Sequence, residues 1–430
     1  MTGHKSDASQ RRARPRARFW VRVRGALFPF GWGSVTKLAL AYFFSTLYFY
    51  IPVGTLYLQG KGLNYVQINS IWGIIVATMF LTEVPTGVIA DRVGRKRAVN
   101  LALGLQVLGE VVFFFARGYP LFVVSAVIGG LGFAFGSGCV EALVYDSLRE
   151  RGREAEMTQA MGYIEAAQRL ANLIAFSLGG VLVRNLTQER FVTAIVLTAG
   201  AVAVGFLLSL AVKERRADEE GERTPAPSSI KLIRDGWALI RANRLFAQLV
   251  LLALLTIPFV DYLGSLYQPY FVEAGVPPIW FGLARALAAG FCILGARYAY
   301  RLEERFGPRW TLLLVTALPG MLYLVAAWVS HPAGSVLAFL VLFGSTSLRG
   351  PVLSGQMNAH ISSENRATVL SLISALSGIY VSGMGILFGW VAERSVPLAL
   401  VAMGAAVLAG SLLFRVRSGM QMVGGQHGRV

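Results

Sequence analysis

Eight ionisable side chains stand inside long apolar runs: Glu83, Glu110, Glu141, Glu165 and Arg169 in the first half of the chain, and Asp261, Arg285 and Arg349 in the second. A charge in such a place is costly, and function is the default expectation. Acids withheld from water can take up and release protons near neutral pH, the chemistry that proton coupling needs. Glu165 and Arg169 are four residues apart in the acid-first order that favours an ion pair on one helix face. They read equally as a coupling site or as a static network in which Arg169 neutralises Glu165 or Glu141. Glu110 has no evident partner, which favours a functional role. Asp261 and Arg285 lie on consecutive runs and suit a structural ion pair, or exposure to a shared cavity. Arg349 stands beside Gly350 and Pro351, a break that fits a hinge, an anion contact or a packing kink.

A second concentration of charge lies between apolar runs, in "GVIADRVGRKR" from Gly87 to Arg97. Gly87 permits close approach of a neighbouring helix and Gly94 a sharp reversal. Asp91, at a helix end, can accept hydrogen bonds from the N-terminal amides of a facing helix. Lys96 and Arg97 are explained by the preference of cations for one side of a membrane, but that preference does not explain two glycines spaced around Asp91. Glu83 lies within about two turns of Asp91 on roughly the same side.

These residues need long apolar elements to hold them. The 430 residues are 55% hydrophobic and 15% charged, too apolar for an ordinary soluble protein of this length. Apolar runs set against charged or Pro/Gly-rich breaks predict an all-α membrane protein of twelve helices: 35–58, 66–90, 98–116, 120–146, 157–183, 190–212, 245–271, 278–300, 309–329, 334–357, 366–392 and 396–414. At ~1.5 Å per residue, Glu83, Glu141 and Glu165 fall on the order of 10 Å from one membrane face, as an acid cluster, and Glu110 and Arg169 near ~18 Å. Asp261 and Arg285 fall ~10–15 Å from the other face.

Cations gather in the links after even-numbered spans, so both termini are expected in the cytoplasm of a plasma (inner) membrane. The net charge of +17 lies in these links and in the tail "RRARPRARFWVRVRG"; its expected partner is anionic lipid rather than nucleic acid. The expected organisation is a basic tail and interfacial segment (1–34), a six-helix bundle (35–212), a linker with an amphipathic surface helix (213–244), a second bundle (245–415) and a tail (416–430). Cys139 and Cys292 suggest neither disulfide nor metal, no cofactor is expected, and a monomer is the default. There is no GxxxxGK[ST] for an ATP-driven pump, and the four histidines, in tails or near helix ends, form no HExxH, which argues against an enzyme.

The bundles repeat at an offset near 213 residues: Tyr57 and Gly62 match Tyr270 and Gly275, and "DRVGRK" from Asp91 matches "ERFGPR" from Glu304. This is the parallel-repeat plan of some secondary transporters. "GVIADRVGRK" resembles the signature between the second and third helices of the major facilitator superfamily, and "RATVLS" from Arg366 resembles the start of its eleventh helix. The resemblance, closest to drug–proton antiporter-like members, covers essentially the whole chain.

It implies a gating latch of Gly87, Asp91, Arg92, Gly94, Arg95 and Asp146: Asp91 would meet the eleventh helix, and Arg95 would pair with Asp146 at the end of the fourth. The latch would close when the cavity opens outward and part when it opens inward. The first and seventh helices would flank a central cavity, making Tyr42, Tyr48, Tyr262, Tyr267 and Gln268 candidate substrate contacts, whereas Tyr57 and Tyr270 suit an interfacial belt. The fifth-helix exporter signature is incomplete: "AFSLGG" keeps Gly179 and Gly180 but has Ala175 and Phe176 where Gly-Pro would stand. Proton-driven export of a small amphipathic or cationic organic molecule is the expected function; the alternatives are a proton symporter for a small organic solute and a non-transporting sensor.

Overall fold

A computed structural model describes residues 29–214, 244–256, 258–359 and 366–415, with the side chains of 258–261, 359, 366–372, 374 and 375 outside the description. Most of the expected basic tail, the linker helix and the C-terminal tail lie outside the described residues.

Every predicted span falls on helix. The first is split into α1 (Ser34–Ser45), a 3-10 turn (Ile51–Val53) and α2 (Gly54–Gly60). Next come α3 (Tyr65–Val93), α4 (Arg95–Phe115), α5 (Tyr119–Gly136) and α6 (Cys139–Arg149), the last two dividing the fourth span. α7 (Met157–Leu182) and α8 (Gln188–Leu210) complete the first half. In the second half α9 (Arg244–Thr256) and α10 (Pro258–Glu273) share the seventh span, and α11 (Ile279–Trp328) carries two spans in 50 residues. α12 (Pro332–Thr346) and α13 (Arg349–Ala359) divide the tenth, and α14 (Arg366–Ala392) and α15 (Val396–Leu413) follow.

Among the described residues, seven helical stretches are long and apolar enough to cross a membrane unaided. α11 merges two spans, the first span is broken into short pieces, Gln159, Glu165, Gln168 and Arg169 dilute the apolarity of α7, and the seventh and eleventh spans enter only through shorter described stretches, Arg244–Thr256 and Leu376–Ala392.

Local signals explain the ends. Asn64 caps α3, its Oδ1 accepting from the Gln67 N–H at 2.8 Å while Gln67 Oε1 accepts from the Asn64 N–H at 3.1 Å. Gly94 (φ +96°) ends α3, and α4 starts at the next residue. Its repeat partner Gly307 (φ +73°) kinks α11 in the same way, and Gly62 and Gly275 (φ +83° and +72°) form the second matched pair. Positive φ is cheap only for glycine, so the repeat is visible in backbone geometry as well as in letters.

The halves meet most extensively along two helix pairs, α3 with α14 and α7 with α11, and again where α10 meets α2. Ser382 Oγ donates to Gly73 O at 3.1 Å in the first pair. In the second, Gly180 faces Gly282 so closely that a Cβ on Gly282 would lie 1.8 Å from Phe176 O.

Two ends can be distinguished. The basic end carries the Gly94 and Gly307 turns and the Arg-rich links. The far end carries the break in the first span.

Candidate functional site

An open cavity of 470 Å³ lies against the first half, lined by Thr46 of the α1 end, Glu141 of α6, and Met161, Ile164, Glu165, Gln168, Arg169 and Asn172 of α7. The lining recurs along α7 at 161, 164, 165, 168, 169 and 172, one face of a helix. Gly138 (φ +71°) breaks the fourth span just before α6 and so sets the direction in which Glu141 projects. Arg169 Nη2 donates to Glu165 Oε1 at 2.9 Å, the pair expected from the four-residue spacing. Both side chains remain largely exposed, at 74% and 65%, so a solute can reach them. With Glu165 and Arg169 offsetting each other, the Glu141 carboxylate leaves the lining net acidic, among amide and hydroxyl groups that can donate or accept.

Glu83 is exposed on α3 and is not in this lining, so the expected three-acid cluster reduces to Glu141 and Glu165. Glu110 also lies elsewhere. It is 7% exposed and not partnerless: Tyr50 Oη donates to its Oε1 at 3.2 Å, while Oε2 has no hydrogen-bond partner among the described residues. The sequence conceals this contact because Tyr50 lies in the non-helical break, whose path only the fold determines.

The expected aromatic substrate contacts are placed differently. Tyr262, Tyr267 and Gln268 are at most 2% exposed and hold backbone of other helices instead of lining the cavity. Tyr262 Oη donates to Val381 O, and Tyr267 Oη donates to Pro52 O at 2.9 Å. Gln268 Nε2 donates to Ile51 O at 3.0 Å, and its Oε1 accepts from Thr55 N–H at 2.8 Å. For Tyr267 and Gln268 the cause is the broken first span, whose backbone groups turn toward α10 and bond to it. Tyr48 packs edge-on against Tyr50 at 6.0 Å, and Tyr42 is half-buried where α1 passes Gly136. Tyr57 and Tyr270 are buried, at 3% and 5%, rather than belted at an interface. Tyr57 sits in a cluster with Phe113, Phe122 and Phe191, and Tyr270 Oη donates to Ala326 O at 2.9 Å.

At the basic end Arg95 Nη1 lies 2.5 Å from Asp146 Oδ2 and 3.2 Å from Ala142 O, tying α4 to α6. Asp91 and Arg92 are exposed on the last turn of α3, and Gly87 lies on the same helix with nothing within 4 Å of an added Cβ. Glu214, in the expected linker, completes this corner. Glu214 Oε1 accepts from the Arg95 N–H at 2.9 Å and so caps α4. The only available hint was an acid directly after the sixth span.

In the second half the Arg285 guanidinium lies 4.2 Å from the ring centre of Phe343 and 5.8 Å from that of Phe176 across the α7–α11 contact. Asp261 lies on α10, and its side chain is outside the description. Arg349 begins α13, just after the break at Ser347–Leu348, and donates to Thr256 Oγ1 at 2.6 Å. It borders a 10 Å³ space shared with Thr316, Tyr323 and Thr346, about the size of one water.

Two bundles of long apolar helices, the first of them carrying an open polar cavity, define a polytopic membrane carrier. The family model described as Major Facilitator Superfamily matches residues 38–381, and the chain belongs to that family. The chain is 30% identical over 156 residues to Multidrug resistance protein 2 of Bacillus subtilis, covering 34% of this chain and only 38% of that protein. It is 21% identical to the uncharacterized MFS-type transporter YxaM of the same organism over 79% of this chain and 84% of that one. Among solved structures, the nucleoside transporter NupG superposes with a TM-score of 0.71 at 13% identity, over 89% and 98% of the two chains. A bacterial homolog of the human lysosomal transporter Spinster, in an inward-facing and occupied conformation, gives 0.68 at 16% identity, over 88% and 95%. At these identities the structures show the shared fold. That fold and family are those of integral, multi-pass membrane transporters rather than enzymes.

Proposed function

We propose that this chain exports small cationic or amphipathic organic molecules in exchange for protons, by alternating access of one cavity to the two sides of a plasma membrane. The carrying observation is the net-acidic lining of the cavity on α1, α6 and α7, where Glu141 and the Glu165–Arg169 pair are exposed to a solute. A cation entering it gains a carboxylate partner, and the amides of Gln168 and Asn172 hold polar groups without demanding one geometry. Similarity to a multidrug resistance protein supports the choice of export. The Arg-rich end faces the cytoplasm on this reading, because its cations obey the positive-inside preference. The state described is then inward-facing, with the far end clasped. At the basic end Asp91, exposed on the last turn of α3, is the latch that meets the second half in the opposite state; Arg95 and Asp146, both in the first half and already paired here, do not part with it as the resemblance implied but brace that corner.

Import with a proton is a second reading, favoured by Ala175 and Phe176 standing where exporters of the family often carry Gly-Pro. The test is a proteoliposome assay with an internal pH dye, an imposed proton gradient, and a panel of cationic drugs, sugars, organic acids and amino acids. Proton movement triggered by the cationic class, and reduced in Glu141→Gln, is the expected result. Movement triggered only by a neutral or anionic class would overturn the substrate assignment.

A further inference from the structure

Among the described residues, the break between α1 and α2 touches both a buried acid and the opposite half. On its inner side Tyr50 Oη reaches Glu110 Oε1 at 3.2 Å, and the Tyr50 ring stacks on Phe113 at 4.9 Å. On its other side, one and two residues further on, Ile51 O and Pro52 O accept from Gln268 and Tyr267 of the second half. Thr55 completes the clasp, its N–H donating to Gln268 Oε1 at 2.8 Å and its Oγ1 to Ser265 O at 3.0 Å. Ser265 Oγ then donates to Asn69 Oδ1 at 2.9 Å, extending the network to α3. Thr55, Asn69, Tyr267 and Gln268 are each at most 5% exposed, so water is excluded while the clasp is formed.

We propose that Glu110 is the proton-binding site of the transport cycle and that its proton load sets the clasp at the far end through the Tyr48–Thr55 segment. The proposal rests on the exchange reading above and adds where the proton sits and what it moves.

A carboxyl that is nine-tenths buried, with one donor and one oxygen without a partner, suits a neutral acid; an anion there lacks the hydrogen bonds its charge demands. The titratable groups facing it are Tyr48 and Tyr50 from the break, with Tyr57 of α2 against Phe113 one ring further out. From α5 the Ser125 hydroxyl is spent on Gly109 O at 3.0 Å, and no cation among the described residues interacts with Glu110. When the proton leaves Glu110 for water, the carboxylate needs new donors. It can gain them only if the break moves and admits water, and the same movement withdraws Ile51 O, Pro52 O and Thr55 N–H from α10. The clasped state therefore binds the proton more tightly than the open one, and by linkage acid favours closure of the far end.

The experiment uses the full chain in lipid nanodiscs, with Cys139→Ser and Cys292→Ser and spin labels at Lys61 and Glu273, which end α2 and α10 at the far end. Distance distributions are recorded without solute or gradient from about pH 8 to about pH 5, a range that spans the titration of perturbed carboxyls. The expected result is a shift from a long to a short distance on acidification, by roughly tenfold in population ratio. In Glu110→Gln the short distance should persist at every pH, Glu110→Asp should restore a pH response, and Gln268→Ala should enrich the long distance throughout. A wild-type response retained in Glu110→Gln, or a wild type that does not respond, overturns the proposal. Because no solute is present, a normal response here with no proton flux in the solute assay would remove the exchange reading and leave this site standing.

Discussion

The two halves share a frame and divide the chemistry. At the offset of 213 residues, Gly62 and Gly94 return as Gly275 and Gly307, all with positive φ, and Tyr57 returns as Tyr270, equally buried. Charges in the turn return, Asp91 as Glu304 and Arg92 as Arg305, but those of the cavity, the buried acid and the corner pair do not. Glu110 is matched by Tyr323, Glu141 by Ser354, Glu165 by Gly378 and Arg169 by Ser382; Arg95 and Asp146 are matched by Pro308 and Ala359. Turns are repeated because each half builds the same frame, whereas on the proposed exchange one acidic cavity wall and one proton site are enough for a shared transport path. The first half therefore carries the cavity acids and Glu110, and the second supplies the clasp of Tyr267 and Gln268.

The largest effect should come from breaking the frame where the halves touch. Gly282→Val would force a side chain into Phe176 O, and overpacking of this kind costs on the order of 1–3 kcal/mol. Transport should fall to background in proteoliposomes, with a lowered thermal midpoint in detergent. Next comes the division of chemistry. Glu141→Gln should lower solute flux roughly tenfold, the scale of one lost charged hydrogen bond, whereas Ser354→Gln at the matched position should leave it nearly unchanged. Equal losses in both would break the comparison.

A smaller effect is expected at the corner that the second half lacks. Arg95→Ala and Asp146→Asn should each reduce flux several-fold while changing stability by no more than ~1 kcal/mol, because the pair is partly exposed. The double variant should be no worse than either single one. Undiminished flux in both singles would show that this brace plays no part in transport.

The smallest effect concerns the link after α6, where Arg153 grips Glu156 through two hydrogen bonds of 2.6 and 2.5 Å and holds its carboxyl below the ordinary range. The folded value is depressed, so the grip contributes above the unfolded value and is lost as pH falls through the folded one. Amide exchange over residues 150–157 should be faster in Glu156→Gln at neutral pH. That difference should vanish in acid, with transport unaffected.

Much of this was legible in the letters. The spans followed from apolar length, the Gly94 turn from its loop, and the Glu165–Arg169 pair from helical spacing, because each depends on residues near in sequence. The clasp was not legible. Tyr267 and Gln268 read as cavity residues since nothing local says that a break over 200 residues earlier turns its carbonyls toward them. Tyr57 and Tyr270 read as interfacial for the same reason: their burial depends on which helices close over them. Glu214 stood at the head of a charged run, and its role as a cap for α4 exists only because the chain returns beside Gly94.

The contact between Gly180 and Gly282 has a mechanical consequence. Backbone meets backbone there, so no side chains interlock at that point of the seam. Interlocked side chains would have to withdraw and re-seat during a change of shape, and each such event resists motion. At that point the seam acts as a pivot, on which one bundle can rock against the other while the Arg285–Phe176 contact a turn away slides over a ring face.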